Sequence, residues 1–246
     1  TDEFGFYRCW ICRVCRRPPP PPPTGLLLRL FSLIEAFSLL LPQNYVLTGG
    51  KLMGFWASFC LKTILSTKIK ILGKENIISD KKFFIAASHQ SMFETFYLQT
   101  IFNSPVFILK KELLLIPIFG WYLKKIGSIS IKRNTTTKDN LGFFEDIKNI
   151  SNKTKRPLII FPQGTRVKPD ERPPFKKGVA RIYEELKVSC QPVAISSGYV
   201  WPKKGPKASN KQIIISILPK IDFGMEKNEF VKKLEEKIYT ELNNLN

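Results

Sequence analysis

The sequence predicts an α/β protein built as a layered sheet flanked by helices, with an N-terminal hydrophobic two-helix segment that associates with a membrane. Two observations carry this expectation. From residue 68 onward, short apolar runs alternate with helical patterns, and the runs are continuous rather than alternating, as in strands buried on both faces. Before residue 66 the chain is dominated instead by Leu and Phe.

Taken in order, residues 1–24 differ in composition from the rest of the chain. They run through Cys9, Cys12 and Cys15 and end in six consecutive prolines, Pro18 to Pro23. The cysteine spacing copies the opening of an iron–sulfur ligand run, but Pro19 stands where a fourth cysteine would fall, so no metal site is expected. This stretch reads as a stray leader or a polyproline linker. Residues 25–66 hold two apolar segments, over 26–41 and 52–65, separated by Pro42 and the Gly49–Gly50 pair. Arg29, Glu35 and Lys62 interrupt them, so neither reaches the roughly 20 apolar residues of a spanning helix. Helices lying in one leaflet suit them, with a buried helical hairpin as the alternative.

Residues 67–246 form the expected α/β domain. Strands are predicted over 68–72, 83–87, 106–109, 128–131, 158–161, 193–196 and 213–218, and helices over 91–102, 137–151, 178–187 and 227–243. Ser91 is the expected N-cap of the first of these helices. The sole histidine, His89, falls between a strand's end and that helix, where open α/β sheets place their sites. Histidine takes and returns protons near neutral pH, and Glu94, in the first helical turn, can fold back to fix its tautomer.

A second stretch, Phe161 to Arg166, ends a strand at Pro162 and turns sharply at Gly164, so that the next residues, Thr165 and Arg166, face whatever lies above the sheet edge. A guanidinium fork suits a phosphate, and Thr165 adds a hydroxyl. Alone, the stretch reads more readily as a surface turn with a solvated arginine. A third runs from Lys110 through an apolar loop at Pro117 and Gly120 to the adjacent cations Lys132 and Arg133. In a fourth, Lys176 and Lys177 open a helix where the dipole favours anions, hinting at an external anion.

Lysine and arginine total 39 against 20 acidic residues, a formal charge of +19, so an anionic partner is expected. The cations are scattered and no DNA- or RNA-binding signature accompanies them, so that partner is not expected to be nucleic acid. Five cysteines, with Cys60 and Cys190 isolated, fit a reducing compartment better than a disulfide framework.

In order and spacing these stretches resemble the four motifs of the glycerolipid acyltransferases, in particular the 1-acylglycerol-3-phosphate (lysophosphatidate) branch. The resemblance covers about 68–219. It implies acyl transfer from a thioester, acyl-CoA or acyl carrier protein, to the sn-2 hydroxyl of lysophosphatidate, giving phosphatidate with no cofactor. His89 and Glu94 are the implied catalytic pair. Arg166, Thr165, Gly164 and Gln163, with Arg133, Lys132, Lys176 and Lys177, are the implied acceptor-binding residues. Oxyanion donors are expected among backbone amides near the His89 turn. An anionic membrane surface, at the cytoplasmic face of the inner membrane, is the implied location. Two positions depart from the family pattern: Glu94 stands where aspartate is usual, and Gln163 replaces a glutamate. Another lysolipid acceptor (a lyso-ornithine lipid or lipid A precursor) and a non-catalytic basic membrane-binding relative are the alternatives.

Overall fold

The computed structural model describes residues 40–79, 82–117, 119–131 and 141–245. Outside them lie the proline-rich leader, nearly all of the first apolar segment, the start of the helix expected from 137, and Lys132 and Arg133.

Seven strands form one sheet in the order β1-β7-β6-β2-β5-β3-β4. They are β1 (Lys68–Leu72), β2 (Phe83–Ala87), β3 (Val106–Lys110), β4 (Ile129–Ile131), β5 (Leu158–Ile160), β6 (Ser189–Ser196) and β7 (Gln212–Ile217). Five run parallel; β7 pairs antiparallel with β6, and β1 follows β7. The layered α/β sheet flanked by helices is therefore as the sequence predicts, and the structure shows it to be mostly parallel. β2 shows why its run carries no polar residue. Phe84 and Ala86 pack into one core layer while Ile85 and Ala87 pack into the other, each fully buried. Burial of a Phe or Ile side chain contributes about 1.5–3 kcal/mol.

The first layer is completed by α4 (Leu141–Lys153), α5 (Gly178–Leu186) and α6 (Lys227–Asn244), through Ile147, Val179, Tyr183, Phe230 and Leu234. The second is covered by α1 (Gln43–Ile64) and α2 (Phe93–Ile101), through Leu61, Phe93 and Leu98. At one edge α3 (Phe119–Lys125) packs Leu123 with Val46, Leu109 and Ile126.

Three local expectations are corrected. α1 runs unbroken through Gly49 and Gly50, although the glycine pair reads as a separator. Its inward face is Val46, Gly50, Gly54, Ser58 and Leu61, one stripe of an α-helix. A Cβ on Gly54 would lie 2.5 Å from the Phe96 carbonyl oxygen, and one on Gly50 would lie 2.4 Å from Gln99 Oε1. The glycines are there because α1 and α2 cross almost backbone to backbone, a tertiary demand that local propensity does not show. The expected apolar loop framed by Pro117 and Gly120 instead follows a 3-10 turn, Lys111–Leu115, and is helical from Phe119, where α3 starts. Finally, α2 starts at Phe93, and Ser91 accepts from the Phe93 amide at 3.0 Å from just outside the cap position. Of the expected N-terminal helix pair, only α1 lies among the described residues, and none of their helices is long and apolar enough to cross a membrane.

The crossing gives a paired prediction. Gly54→Ala forces the helices apart and lowers stability by about 1–3 kcal/mol. Gly49→Ala, on an exposed position with nothing within 4 Å, raises it by about 0.5–1 kcal/mol through helix propensity. Thermal unfolding checks the signs; a Gly54→Ala midpoint at or above wild type contradicts the close crossing.

Candidate active site

The adjacent parallel strands β6, β2 and β5 bring their C-terminal ends together, and the loops leaving those ends build the site. From β2 comes Ser88, whose hydroxyl continues the ladder by accepting from Ile195 N at 2.8 Å, and then His89. Both main-chain groups of His89 are tied to the turn after β5. Its amide donates to Gln163 Oε1 at 2.6 Å, and its carbonyl accepts from Val167 N at 2.9 Å. The imidazole stacks on Phe161, ring centroids 4.1 Å apart and planes 18° from parallel.

His89 Nδ1 lies 2.8 Å from Glu94 Oε2. An ionised carboxylate only accepts, so the proton sits on Nδ1 and Nε2 is left as the basic nitrogen. Glu94 is wholly buried while the His89 side chain is 15% exposed, so the pair presents one imidazole edge outward. Burial of a carboxylate is costly unless it is hydrogen-bonded. Here it accepts from the amides of Ser91, at 2.9 and 3.0 Å, and Gln90, at 3.2 Å, and from the Ser197 hydroxyl. Gln90, also buried, uses Oε1 to hold the amides of Ser197 and Gly198 at 3.1 and 2.9 Å. The longer side chain thus reaches both the imidazole and the loop after β6. Glu94, His89 and the loops of all three strands form one connected unit.

The other expected residues separate into three groups. Gln163 is 2% exposed and spends its carbonyl on His89 N, so it supports the histidine turn from within rather than facing an acceptor. Gly164, with φ +73°, makes the turn, and Lys176 folds its stem beside it, with Cγ 3.4 Å from where a Gly164 Cβ would stand. Thr165 is exposed and Arg166 half-buried; among the described residues the Arg166 guanidinium has no hydrogen-bond or ion-pair partner. Lys177 lies away from this turn, in the cleft between α5 and α6 with Arg181 and Glu184. The oxyanion expectation also changes, because the amides of His89, Gln90 and Ser91 already donate to Gln163 and Glu94.

Sequence reasoning missed Ser197, Gln90 and Lys203. Ser197 meets Glu94 across 103 positions, which no local pattern signals. The Pro-Lys-Lys-Gly-Pro-Lys stretch, 202–207, brings Lys203 Nζ 3.2 Å from Thr165 Oγ1 and 3.4 Å from the Arg166 carbonyl. Its density of cations between prolines was the one local signal. Of the two cysteines among the described residues, neither has the lowered thiol pKa of an activated nucleophile. Burial pushes the Cys190 thiol well above its ordinary value, and desolvation also raises that of Cys60.

A histidine backed by a buried carboxylate is thus joined, through the Val167–His89 backbone bond, to a strand-end turn that carries an arginine. Residues 68–196 match the Acyltransferase family profile, and the chain belongs to that family. Among curated relatives it is 30% identical over 155 residues to the 1-acyl-sn-glycerol-3-phosphate acyltransferase of Pseudomonas aeruginosa, covering 61% of this chain and 59% of that one. It is 32% identical over 150 residues to the Saccharomyces cerevisiae protein of the same name, covering 59% and 49%. The matched regions thus span between about half and three fifths of those relatives. In structure it is similar to the 1-acyl-sn-glycerophosphate acyltransferase PlsC from Thermotoga maritima, with a TM-score of 0.66, 25% identity and 88% and 89% of the two chains covered.

Proposed function

We propose that the protein transfers a fatty acyl group from a thioester, acyl-CoA or acyl carrier protein, to the sn-2 hydroxyl of 1-acylglycerol-3-phosphate. One observation carries this reading. Backbone hydrogen bonding of Val167 to His89 ties the turn after β5, which carries Arg166, to the turn after β2, which carries the base. A phosphate on Arg166 then orients a nearby hydroxyl toward Nε2. His89 Nε2 takes the hydroxyl proton as the oxygen attacks the thioester carbonyl, and Glu94 steadies the imidazolium. Collapse of the tetrahedral intermediate breaks the C–S bond, the leaving sulfur recovers the proton from His89, and phosphatidate and a free thiol result. The relatives named as 1-acyl-sn-glycerol-3-phosphate acyltransferases support this choice of acceptor.

The same reading assigns the exposed apolar face of the molecule to a membrane. Tyr45, Leu52, Phe55, Trp56 and Phe59 on α1 are each more than half exposed, and so are Trp121 on α3 and Leu115 just before it. Seating this face in one leaflet covers it, and the formal charge of +19 favours an anionic surface. The site then serves the cytoplasmic face, where thioester donors are found.

The test is a panel of lysolipid acceptors, with acyl-CoA and acyl carrier protein donors, applied to wild type and Arg166→Ala. Loss of a charge-assisted contact costs about 1.5–3 kcal/mol. Arg166→Ala is therefore expected to raise the lysophosphatidate KM on the order of 10- to 100-fold and leave the donor KM nearly unchanged. An effect confined to the donor would misplace the phosphate, and a wild-type preference for an acceptor without phosphate there would overturn the choice of substrate.

A further inference from the structure

The segment between β6 and β7 folds over the Thr165–Arg166 turn and is anchored there at several points. Tyr199 donates to Asp170 Oδ1 at 2.6 Å, and Gly198 sits so close that a Cβ would lie 2.8 Å from Pro169. Ala208 N returns to the Val200 carbonyl at 2.9 Å, closing the loop, and Lys207 lays its ammonium 4.5 Å from the centre of the Trp201 ring. The part of the loop so held projects Lys203, whose Nζ donates to Thr165 Oγ1 at 3.2 Å and to the Arg166 carbonyl at 3.4 Å. An ammonium has three protons, and these contacts use two. No carboxylate among the described residues lies within ion-pair range of Lys203; Glu171, nearby, is taken by Lys168 at 3.4 Å, and Asp170 by Tyr199.

We infer that Lys203 is a second cation of the acceptor's phosphate site, delivered from the loop after β6 to the Thr165–Arg166 turn. This rests on the proposed function for the identity of the acceptor, while the meeting of Lys203 with the Thr165–Arg166 turn is read from the geometry. Thr165 links the two cations: its hydroxyl accepts from Lys203 and keeps its own proton to donate to a phosphate oxygen. A fork and a point charge on either side of a hydroxyl hold a phosphate monoester by different oxygens. The phosphate then bridges two strand-end loops, so its binding fixes their spacing next to His89.

The experiment measures direct binding of sn-glycerol 3-phosphate, a soluble headgroup, to wild type, Lys203→Met and Lys203→Arg, together with lysophosphatidate turnover by the same proteins. Lys203 is exposed, so circular dichroism and unfolding midpoints should match wild type in both variants. Lys203→Met is expected to weaken headgroup binding about tenfold, the loss of one charged contact, and to raise the lysophosphatidate KM in parallel with kcat nearly unchanged. Lys203→Arg is expected to stay within about threefold of wild type, since it keeps the charge. Equal headgroup affinity in wild type and Lys203→Met overturns the assignment. Failure of the proposed function looks different: the wild type then binds the headgroup in a Lys203-dependent way but transfers no acyl group to lysophosphatidate.

Discussion

His89→Ala is expected to lower acyl transfer on the order of 10²–10⁴-fold, the usual worth of a positioned general base, while leaving the fold intact. The main chain at residue 89 keeps its bonds to Gln163 and Val167, since neither uses the imidazole. Glu94 also keeps the Ser91 and Gln90 amides and the Ser197 hydroxyl, so the deletion does not strand a buried charge. Initial rates on lysophosphatidate, measured beside the unfolding midpoint, check both halves. Turnover near that of wild type would remove His89 from the mechanism and leave the acyltransferase geometry without a base.

For Glu94→Gln the expected loss is of similar size, about 10²–10³-fold in kcat, because a carboxylate that orients a catalytic histidine is costly to replace. The reason is in the hydrogen-bond count. Every partner of Glu94 is a donor: the imidazole Nδ1, two amides and a hydroxyl. An amide side chain offers one acceptor oxygen and turns an NH2 toward the rest. If that NH2 faces His89, the imidazole must shift its proton to Nε2 and ceases to be a base; if it faces Ser91, two donors oppose each other in a buried site. The first arrangement costs kcat and the second costs stability, so the variant should show one or both. A variant with wild-type kcat and midpoint would mean the carboxylate does not set the tautomer. Glu94→Asp separates reach from charge: the shortened side chain keeps the charge but cannot span from His89 to Ser197 without moving α2.

Much of the fold and site is legible in the chain. β2 and β5 declare themselves because strands buried on both faces need unbroken apolar runs, and the residues after such strands must face the sheet edge. That is why the contact of Glu94 with His89, and the place of Arg166 on a strand-end turn, could be expected from sequence. What escaped depends on contacts between distant segments. Gly49 and Gly50 look like a break because glycine is a poor helix former, yet Gly50 and Gly54 serve the crossing with α2. Gln163 reads as an outward ligand from its motif, and its inward direction comes only from the position of His89 N. Ser197 and Lys203 lie on the far side of β6 from the motifs they complete, and each alone looks like an ordinary loop residue.

The close crossing of α1 and α2 bears on where in the lipid the chemistry takes place. Gly54 rests against the carbonyl of Phe96, two residues beyond Glu94, with no long side chain between them to act as a cushion. Under the proposed function, α1 floats in the leaflet while α2 carries the carboxylate that aims the imidazole. The two move as one piece, so the immersion depth of α1 sets the height of the base above the acyl chains. An acceptor that never leaves the bilayer is thereby met at a fixed level, that of a glycerol hydroxyl just beneath its phosphate. Selectivity for lysolipids is then partly a matter of altitude as well as of pocket shape.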